Sequence, residues 1–500
     1  MQMTELFERF LEFERHESMM DRRINGVPYW HLVRVAIFRH ILDDAFVLKP
    51  AHPDFLRAQQ FKSRAGRILG KFLTSCRLIF DVCFRNPLLA VRRRPILFSM
   101  TPRQAMLDNG RKVSLLLDFF VPLMHTRHGL FEYVLTKPTK QPFFRKVFRL
   151  SYMTGRLNRC RSGRWFADVT EQSRIHSEEI AAKLSAEFGK SIDPCFIAAQ
   201  IGGALLFREV YRPVFMRAIS RMRTKVVVTA VQYNLFNFTL TEAAHDLGVK
   251  VVELQHGTIY KSHAAYNLPA SGSVYSPDYF LTWGDFWNRQ TRNYPAKRSV
   301  SVGYPYLELM FSKYNSSQRK DARRTILFVS QANIADMIVD VACKLRSGLP
   351  ESRFRIVYKL HPNESLSWKS LYPKLAASDV DVVSNEEKNI YACFSEADMI
   401  VGSCSTSLVE GAAWGLKTLV LHWLPGSEIM QDFVESGLMR YIENDVELRD
   451  AAHDCGDGAV VGDDARRSLF VMPGSANGAA VFLDGLADGL IPQNALNMVK

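Results

Sequence analysis

FRIVYKLHPNE, at residues 354–364, decides the fold. Phe354, Ile356, Val357 and Tyr358 make a β-prone apolar run, and Pro362 stops it. A second stretch, MIVGSCSTSLVEGAAWG at 399–415, repeats the pattern. Each predicts a buried parallel strand that ends in polar residues. The first strand delivers His361 and Pro362; the second delivers Ser403, Ser405, Thr406 and Ser407. About 40 residues lie between them, room for one more α/β unit. An imidazole and a hydroxyl cluster offered to one crevice make a phosphate site.

The alternation continues outward. TILFVSQ (325–331), a helix across 334–347, a helix near 367–376, VDVVS (380–384), a helix over 390–396, a helix from about 406 to 415 and KTLVLHW (417–423) frame the two strands. An earlier series holds PILFSMT from Pro95, KVVVTA (225–230), a helix in FNFTLTEAAHDLG, VKVVELQHG (249–257), DYFLTWG (278–284) and SVSVGYP (299–305). Gly248 ends that helix. Residues 110–220 have mainly helical patterns. Strands alternating with helices predict α/β architecture with doubly wound parallel sheets. Two such series give two Rossmann-like domains facing a cleft. The expected boundaries are a helical extension at 1–94, an N-terminal domain with a helical insert at 95–313, and a polar linker at 314–324. A second domain follows at 325–450, then a tail at 451–500 with a final helix near 475–490.

At 500 residues the chain is too long for one core. Its net charge of +13 is unevenly spread. Residues 1–250 carry 40 Lys+Arg against 22 Asp+Glu, and 51–150 alone carry 19 against 5. That asymmetry implies an anionic partner for the N-terminal half. Within 61–95, Arg64, Arg67, Lys71, Arg77, Arg85 and Arg92–Arg94 interleave with Ile68, Leu69, Phe72, Leu78, Ile79, Phe80 and Phe84. A basic helix with a bulky apolar side lies in a membrane interface, and its cations attract anionic lipid. The other reading is a core helix with a solvated basic face. No nucleic-acid partner is expected, because no reader motif accompanies the charges. Tyr29, Val33, Ile37 and Ile41 recur every four residues and predict a helix packed on one face.

The eight cysteines are scattered without CxxC or zinc spacing, which fits reduced thiols in a cytosolic protein. No signal core and no run of 18 apolar residues appear, so no spanning helix is expected. The expected location is cytoplasmic, on the inner face of the membrane.

Ser403–Ser407 lies between a strand and a helix start, where free N–H groups and the helix dipole favour an anion. Ser407-Leu-Val-Glu410 is also a capping box by pattern. Pro362 fixes the turn that holds His361 at the carboxyl end of the sheet, and Lys359 adds positive field. Gln255-His256-Gly257 ends an earlier strand and exposes an imidazole suited to general-base work near neutral pH. GxGxxG and a Walker loop are absent and no carboxylate pair reads as a metal site, so nicotinamide chemistry, ATP hydrolysis and metal-assisted transfer lose weight. No metal and no cofactor is expected.

With these residues the chain resembles bacterial GT-B glycosyltransferases of surface polysaccharide synthesis. That group includes capsule Kdo transferases, bacterial sialyl- and polysialyltransferases, and CDP-glycerol glycerophosphotransferases. His361-Pro362 and Ser403–Ser407 look like the group's His-Pro and Ser/Thr motifs, which bind the donor's nucleotide phosphate. LQHGTIYK (254–261) is similar to its Trp-His-Gly-Thr-Pro segment, with Gln255 for Trp and Ile259 for Pro. VGYPYLE (302–308) is similar to its Gly-x-Pro segment. The resemblance covers roughly 225–425. It implies a GT-B-like fold and a nucleotide-activated donor, with CMP and CDP types favoured. It implies a saccharide or lipid-linked saccharide acceptor, in capsule or lipopolysaccharide synthesis. It implies metal-independent transfer, with Glu410 reaching the donor ribose. The base is then His256, or a carboxylate such as Asp108 or Asp118. Two other readings stay open: a UDP-sugar 2-epimerase, and a catalytically silent scaffold of a polysaccharide assembly complex.

Overall fold

The computed structural model describes residues 3–42, 79–100, 104–106, 112–132, 147–150, 153–270, 273–295, 298–314, 321–362, 364, 367–454 and 463–490. The chain divides into two compact units. One takes in the described residues of 5–41, 79–305 and 474–490, the other those of 306–473 together with 3, 4 and 42.

The first unit opens with helices α1 (Met3–His16) and α2 (Trp30–Ile41). Tyr29, Val33, Ile37 and Ile41 are all buried, as their spacing predicts. Trp30, His31 and Arg34 are buried too, so α2 is covered on more than one face. Arg34 forks onto Glu14, Nε to Oε1 at 2.7 Å and Nη2 to Oε2 at 2.7 Å. The Trp30 indole N–H donates to the same carboxylate. A buried ion pair persists only when its hydrogen bonds are filled this way. Arg34 also donates to the Ala264 carbonyl, and the Tyr275 hydroxyl to the Pro28 carbonyl. The N-terminal helices are thereby fastened to the loops that follow the central strands.

Those strands are β1 (Ile96–Met100), β2 (His128–Glu132), β3 (Val147–Phe148), β4 (Val226–Ala230), β5 (Lys250–Leu254), β6 (Tyr279–Thr282) and β7 (Arg298–Ser301). They form one parallel sheet in the order β7-β6-β5-β4-β1-β2-β3. Strands β2 and β3 fall in the region expected to be helical. They are short, and Gly129 and the polar ends of β2 hide the apolar run of Leu130 and Phe131. The long helices α3 (Arg164–Phe188) and α4 (Pro194–Met222) follow as expected. Between β4 and β5 lies α5 (Leu235–His245), capped by Asn234 accepting from the Asn237 N–H at 2.9 Å. Gly248, at φ +69°, lets the chain turn from this helix into β5. The apolar faces of α4, α5, β1 and β4 share one core.

The second unit holds β8 (Arg324–Val329), β9 (Phe354–Lys359), β10 (Asp381–Val383), β11 (Met399–Gly402), β12 (Lys417–Leu421) and β13 (Arg440–Ile442). Their parallel order is β10-β9-β8-β11-β12-β13. In chain order this is three, two, one, four, five, six, the Rossmann arrangement. Helices α6 (Ala335–Gly348), α7 (Ile390–Phe394) and α8 (Thr406–Trp414) cover it. The helix expected near 367–376 is instead two short ones, Trp368–Leu371 and Pro373–Ala376, because Pro373 cannot continue the first. The final helix, α9 (Ser475–Asp488), belongs to the first unit. There Asp484 accepts from the backbone N–H of His125 and Thr126 at 3.0 and 3.1 Å. Among the described residues no helix is long and apolar enough to cross a membrane.

Candidate functional site

In the second unit β8 pairs with β9 on one side and β11 on the other. The winding reverses there, which opens a crevice at the carboxyl ends. Val329 lies opposite Lys359, and Phe328 opposite Val401. Two residues further along the chain from Lys359 and Val401 come His361 and Ser403. The strands that lead to them, β9 and β11, flank β8 and lie two strand spacings apart, about 10 Å. One nucleotide bridges that span. The sequence argument missed Ser330, Gln331 and Cys404, which floor the crevice: Cys404 Sγ donates to Gln331 Oε1 at 3.0 Å. The signal was present in the polar ends of TILFVSQ and MIVGSCS.

Ser405 caps α8, its hydroxyl accepting from the Ser407 N–H at 3.2 Å. The cap therefore sits two residues before the position the Ser407–Glu410 pattern predicts. Glu410 cannot reach back, because its buried carboxylate receives the Tyr391 hydroxyl at 3.1 Å. Burial pushes the Glu410 carboxyl up to about 7. The Ser403 hydroxyl donates to the Pro425 carbonyl at 3.0 Å and anchors the loop from beneath. Thr406 and Ser407 are half-buried at the first turn of α8.

His361 and Glu364 close a reciprocal turn: the His361 N–H donates to Glu364 Oε2 at 2.8 Å, and the Glu364 N–H to the His361 carbonyl at 2.9 Å. The Tyr372 hydroxyl takes Glu364 Oε1 at 2.9 Å. The turn is thus held by groups other than the imidazole. Burial pushes that imidazole's pKa down, against the raising effect of Glu364, so near pH 7 it is a neutral N–H donor. Lys359 is buried, and its ammonium ends on Asn385 Oδ1 beyond β10. Burial lowers it to about 8.

In the first unit His256 follows β5. It is buried rather than exposed, held between two tyrosines. The Tyr233 hydroxyl lies 3.2 Å from Nε2, and the Tyr266 hydroxyl 3.2 Å from Nδ1. Tyr266 in turn donates to Glu253 Oε1 at 3.0 Å, and Tyr294 to Oε2. The Gln232 N–H also donates to Glu253, at 3.0 Å. A hydroxyl has one proton to give. With Tyr266 spending its proton on Glu253, it accepts from His256 Nδ1–H and leaves Nε2 as the basic nitrogen. Burial pushes the Glu253 carboxyl up to about 7, opposed by its hydrogen bonds. The neighbouring His263 is half-buried and held neutral, desolvation lowering its pKa to about 3. Gln255 Oε1 accepts from the Trp283 backbone N–H at 2.8 Å and ties β5 to β6.

Of the carboxylates expected as alternative bases, Asp108 lies outside the described residues. Asp118 is buried in its own loop, where Oδ2 accepts from the Ser114 N–H at 2.9 Å. The carboxylate joined to His256 is Glu253, which the sequence argument missed. A charged residue inside the apolar strand VKVVEL was its signal.

The raised carboxyl of Glu410 has a measurable consequence. A folded state that holds a proton more tightly than the unfolded chain loses stability as pH rises from about 4.5 to 7. Glu410→Gln keeps an acceptor for Tyr391 and removes the titration. The stability gap between wild type and variant should therefore change with pH, by up to about 1.4 kcal/mol per unit in the wild type's disfavour. Denaturant melts at pH 5, 6 and 7 read this directly, and parallel curves would refute it.

No curated protein matches the chain. Among the solved structures similar to it are the following three. The glycotransferase of kitacinnamycin is 12% identical, over 82% of this chain and 98% of that one, with a TM-score of 0.43. A putative UDP-N-acetylglucosamine 2-epimerase from Listeria monocytogenes is 10% identical, over 80% and 98%, with a TM-score of 0.43. The S. aureus MnaA–UDP structure is 14% identical, over 58% and 82%, with a TM-score of 0.40. Residues 139–354 match the model of one protein family, described as LIC12162 family transferase.

Proposed function

We propose that the protein is a glycosyltransferase. In this reading it moves a sugar from a nucleotide-activated donor to a saccharide or lipid-linked saccharide acceptor, in capsule or lipopolysaccharide synthesis. The observation that carries the proposal is the crevice at the winding reversal of the second unit. His361 and the capped start of α8 lie across it, on either side of β8. The match of 139–354 to a transferase family supports the same class.

The donor phosphates take the first-turn amides of α8 and the hydroxyls of Ser405, Thr406 and Ser407, with the His361 N–H opposite. Glu410 meets the ribose, exchanging the Tyr391 hydroxyl for that of the sugar. His256 accepts the acceptor hydroxyl's proton at Nε2, directly or through the Tyr233 hydroxyl. The acceptor oxygen forms the new bond to the sugar carbon. The bond from that carbon to the phosphate oxygen breaks, and its electron pair leaves on the nucleotide. His361 and the α8 amides stabilise the charge that develops there. Glu253, through Tyr266, keeps His256 in the tautomer this step needs.

A thermal-shift panel of CMP, CDP, UDP and GDP tests the donor site. One nucleotide should raise the melting temperature. At a hundredfold excess over its Kd, the stabilisation is about 2.7 kcal/mol. Incubating the protein with UDP-N-acetylglucosamine alone separates the classes: a transferase leaves it intact without acceptor, whereas an epimerase converts it. No shift with any nucleotide would leave the scaffold reading standing.

A further inference from the structure

We propose that the first unit carries a second site, unrelated to the transfer chemistry, for the phosphate headgroup of an anionic phospholipid. It lies in a basic cavity at the amino ends of β1 and β2. The cavity measures ≈ 600 Å³, and Arg92, Arg94 and Arg127 line it. Among the described residues none of the three has an ion-pair partner, and Arg94 Nε is buried without a hydrogen bond. The nearby carboxylates are already taken: Asp484 and Asp488 meet His125, and Asp484 also receives the Thr126 N–H. The Arg94 guanidinium pKa is lowered by burial, then by the like charges of Arg92 and Arg127. Three cations held together without an anion are stabilised by a ligand that supplies one.

The rim selects the source of that phosphate. Leu89 and Val91 edge the cavity and are 53% and 92% exposed. Just before them, a helical turn over 79–84 exposes Ile79, Phe80 and Phe84. The Arg149 N–H donates to the Arg85 carbonyl at 2.9 Å, which fastens this turn beside Phe148 of the cavity wall. A run of exposed apolar side chains beside a cationic pocket suits a membrane interface, with headgroup in the pocket and rim in the acyl boundary.

The test uses the full chain and vesicles of mixed phosphatidylglycerol and phosphatidylcholine, compared with phosphatidylcholine alone. The wild type should sediment with the anionic vesicles only. Arg92→Glu with Arg127→Glu should lower the partition coefficient at least about tenfold, and Val91→Asp should lower it as well. Arg23→Glu with Arg298→Glu makes the same charge change at other exposed positions and should cost less than about threefold. Unfolding of the Arg92/Arg127 pair, checked by thermal melts, leaves Arg127→Gln and Val91→Asp to carry the test. Undiminished binding of the pocket variants overturns the proposal, and so does an equal loss in both charge pairs. Displacement by millimolar inorganic phosphate alone would assign the cavity to soluble phosphate. Binding of single-stranded RNA without vesicle binding would overturn the lipid assignment too.

Discussion

His256→Ala should lower kcat by about 10²–10⁴, the range that a positioned general base contributes, while the Kd for donor nucleotide stays unchanged. The expectation follows from the proton inventory around the imidazole. Glu253 is buried, and the Tyr266 hydroxyl serves it, so Nδ1 keeps its proton and Nε2 carries the basic pair. Removing the ring removes the acceptor for the proton and nothing on the donor side. Tyr266→Phe is the informative companion. It keeps the ring that stacks on Phe280, with centroids 5.4 Å apart, and deletes only the hydroxyl link. An intermediate loss of kcat, with a changed pH–rate profile, is expected. Single-turnover kinetics with the nucleotide sugar chosen by the ligand panel gives both numbers. A His256→Ala enzyme within threefold of wild type would remove the imidazole from the mechanism.

His361→Ala should weaken donor binding by roughly 10- to 100-fold, the loss of one hydrogen bond to a charged group at about 1.5–3 kcal/mol. It should also cost about 10²–10³ in kcat, as for other donors to a developing oxyanion. The variant should fold. Glu364 holds the turn through the backbone N–H of residue 361 and the Tyr372 hydroxyl, and alanine keeps both. Titration calorimetry with the nucleotide is the measurement. An unaltered Kd in a variant that melts like wild type would end the donor assignment.

Strands with a strong local signature were legible in the sequence. The apolar runs of β4, β5, β8, β9, β11 and β12 end in glycine, proline or polar residues, and all fall where the pattern put them. Strands β2 and β3 were not. Five and two residues long, they give no alternation to count and owe their place to pairing with β1. The donor-side residues were legible because a loop after a buried strand must be polar. The partners that position them were not. Glu253 with Tyr266, Glu364 with Tyr372, and Glu410 with Tyr391 are carboxylate–tyrosine contacts made by folding, and residue spacing alone does not announce them. The segment 43–78, which holds most of the expected interfacial helix, lies outside the described residues, and 79–94 carries what can be said of it.

Helix α9 follows the whole second unit in the chain yet completes the first, with Asp484 supplying acceptors to the amides of His125 and Thr126. Roughly 170 residues are made in between, which at about 5–20 residues per second takes on the order of 10–30 s. For that interval the nascent seven-stranded sheet lacks one of its covers. Newly made chains of this protein therefore present a chaperone client whose vulnerable surface closes only once the second unit has been made.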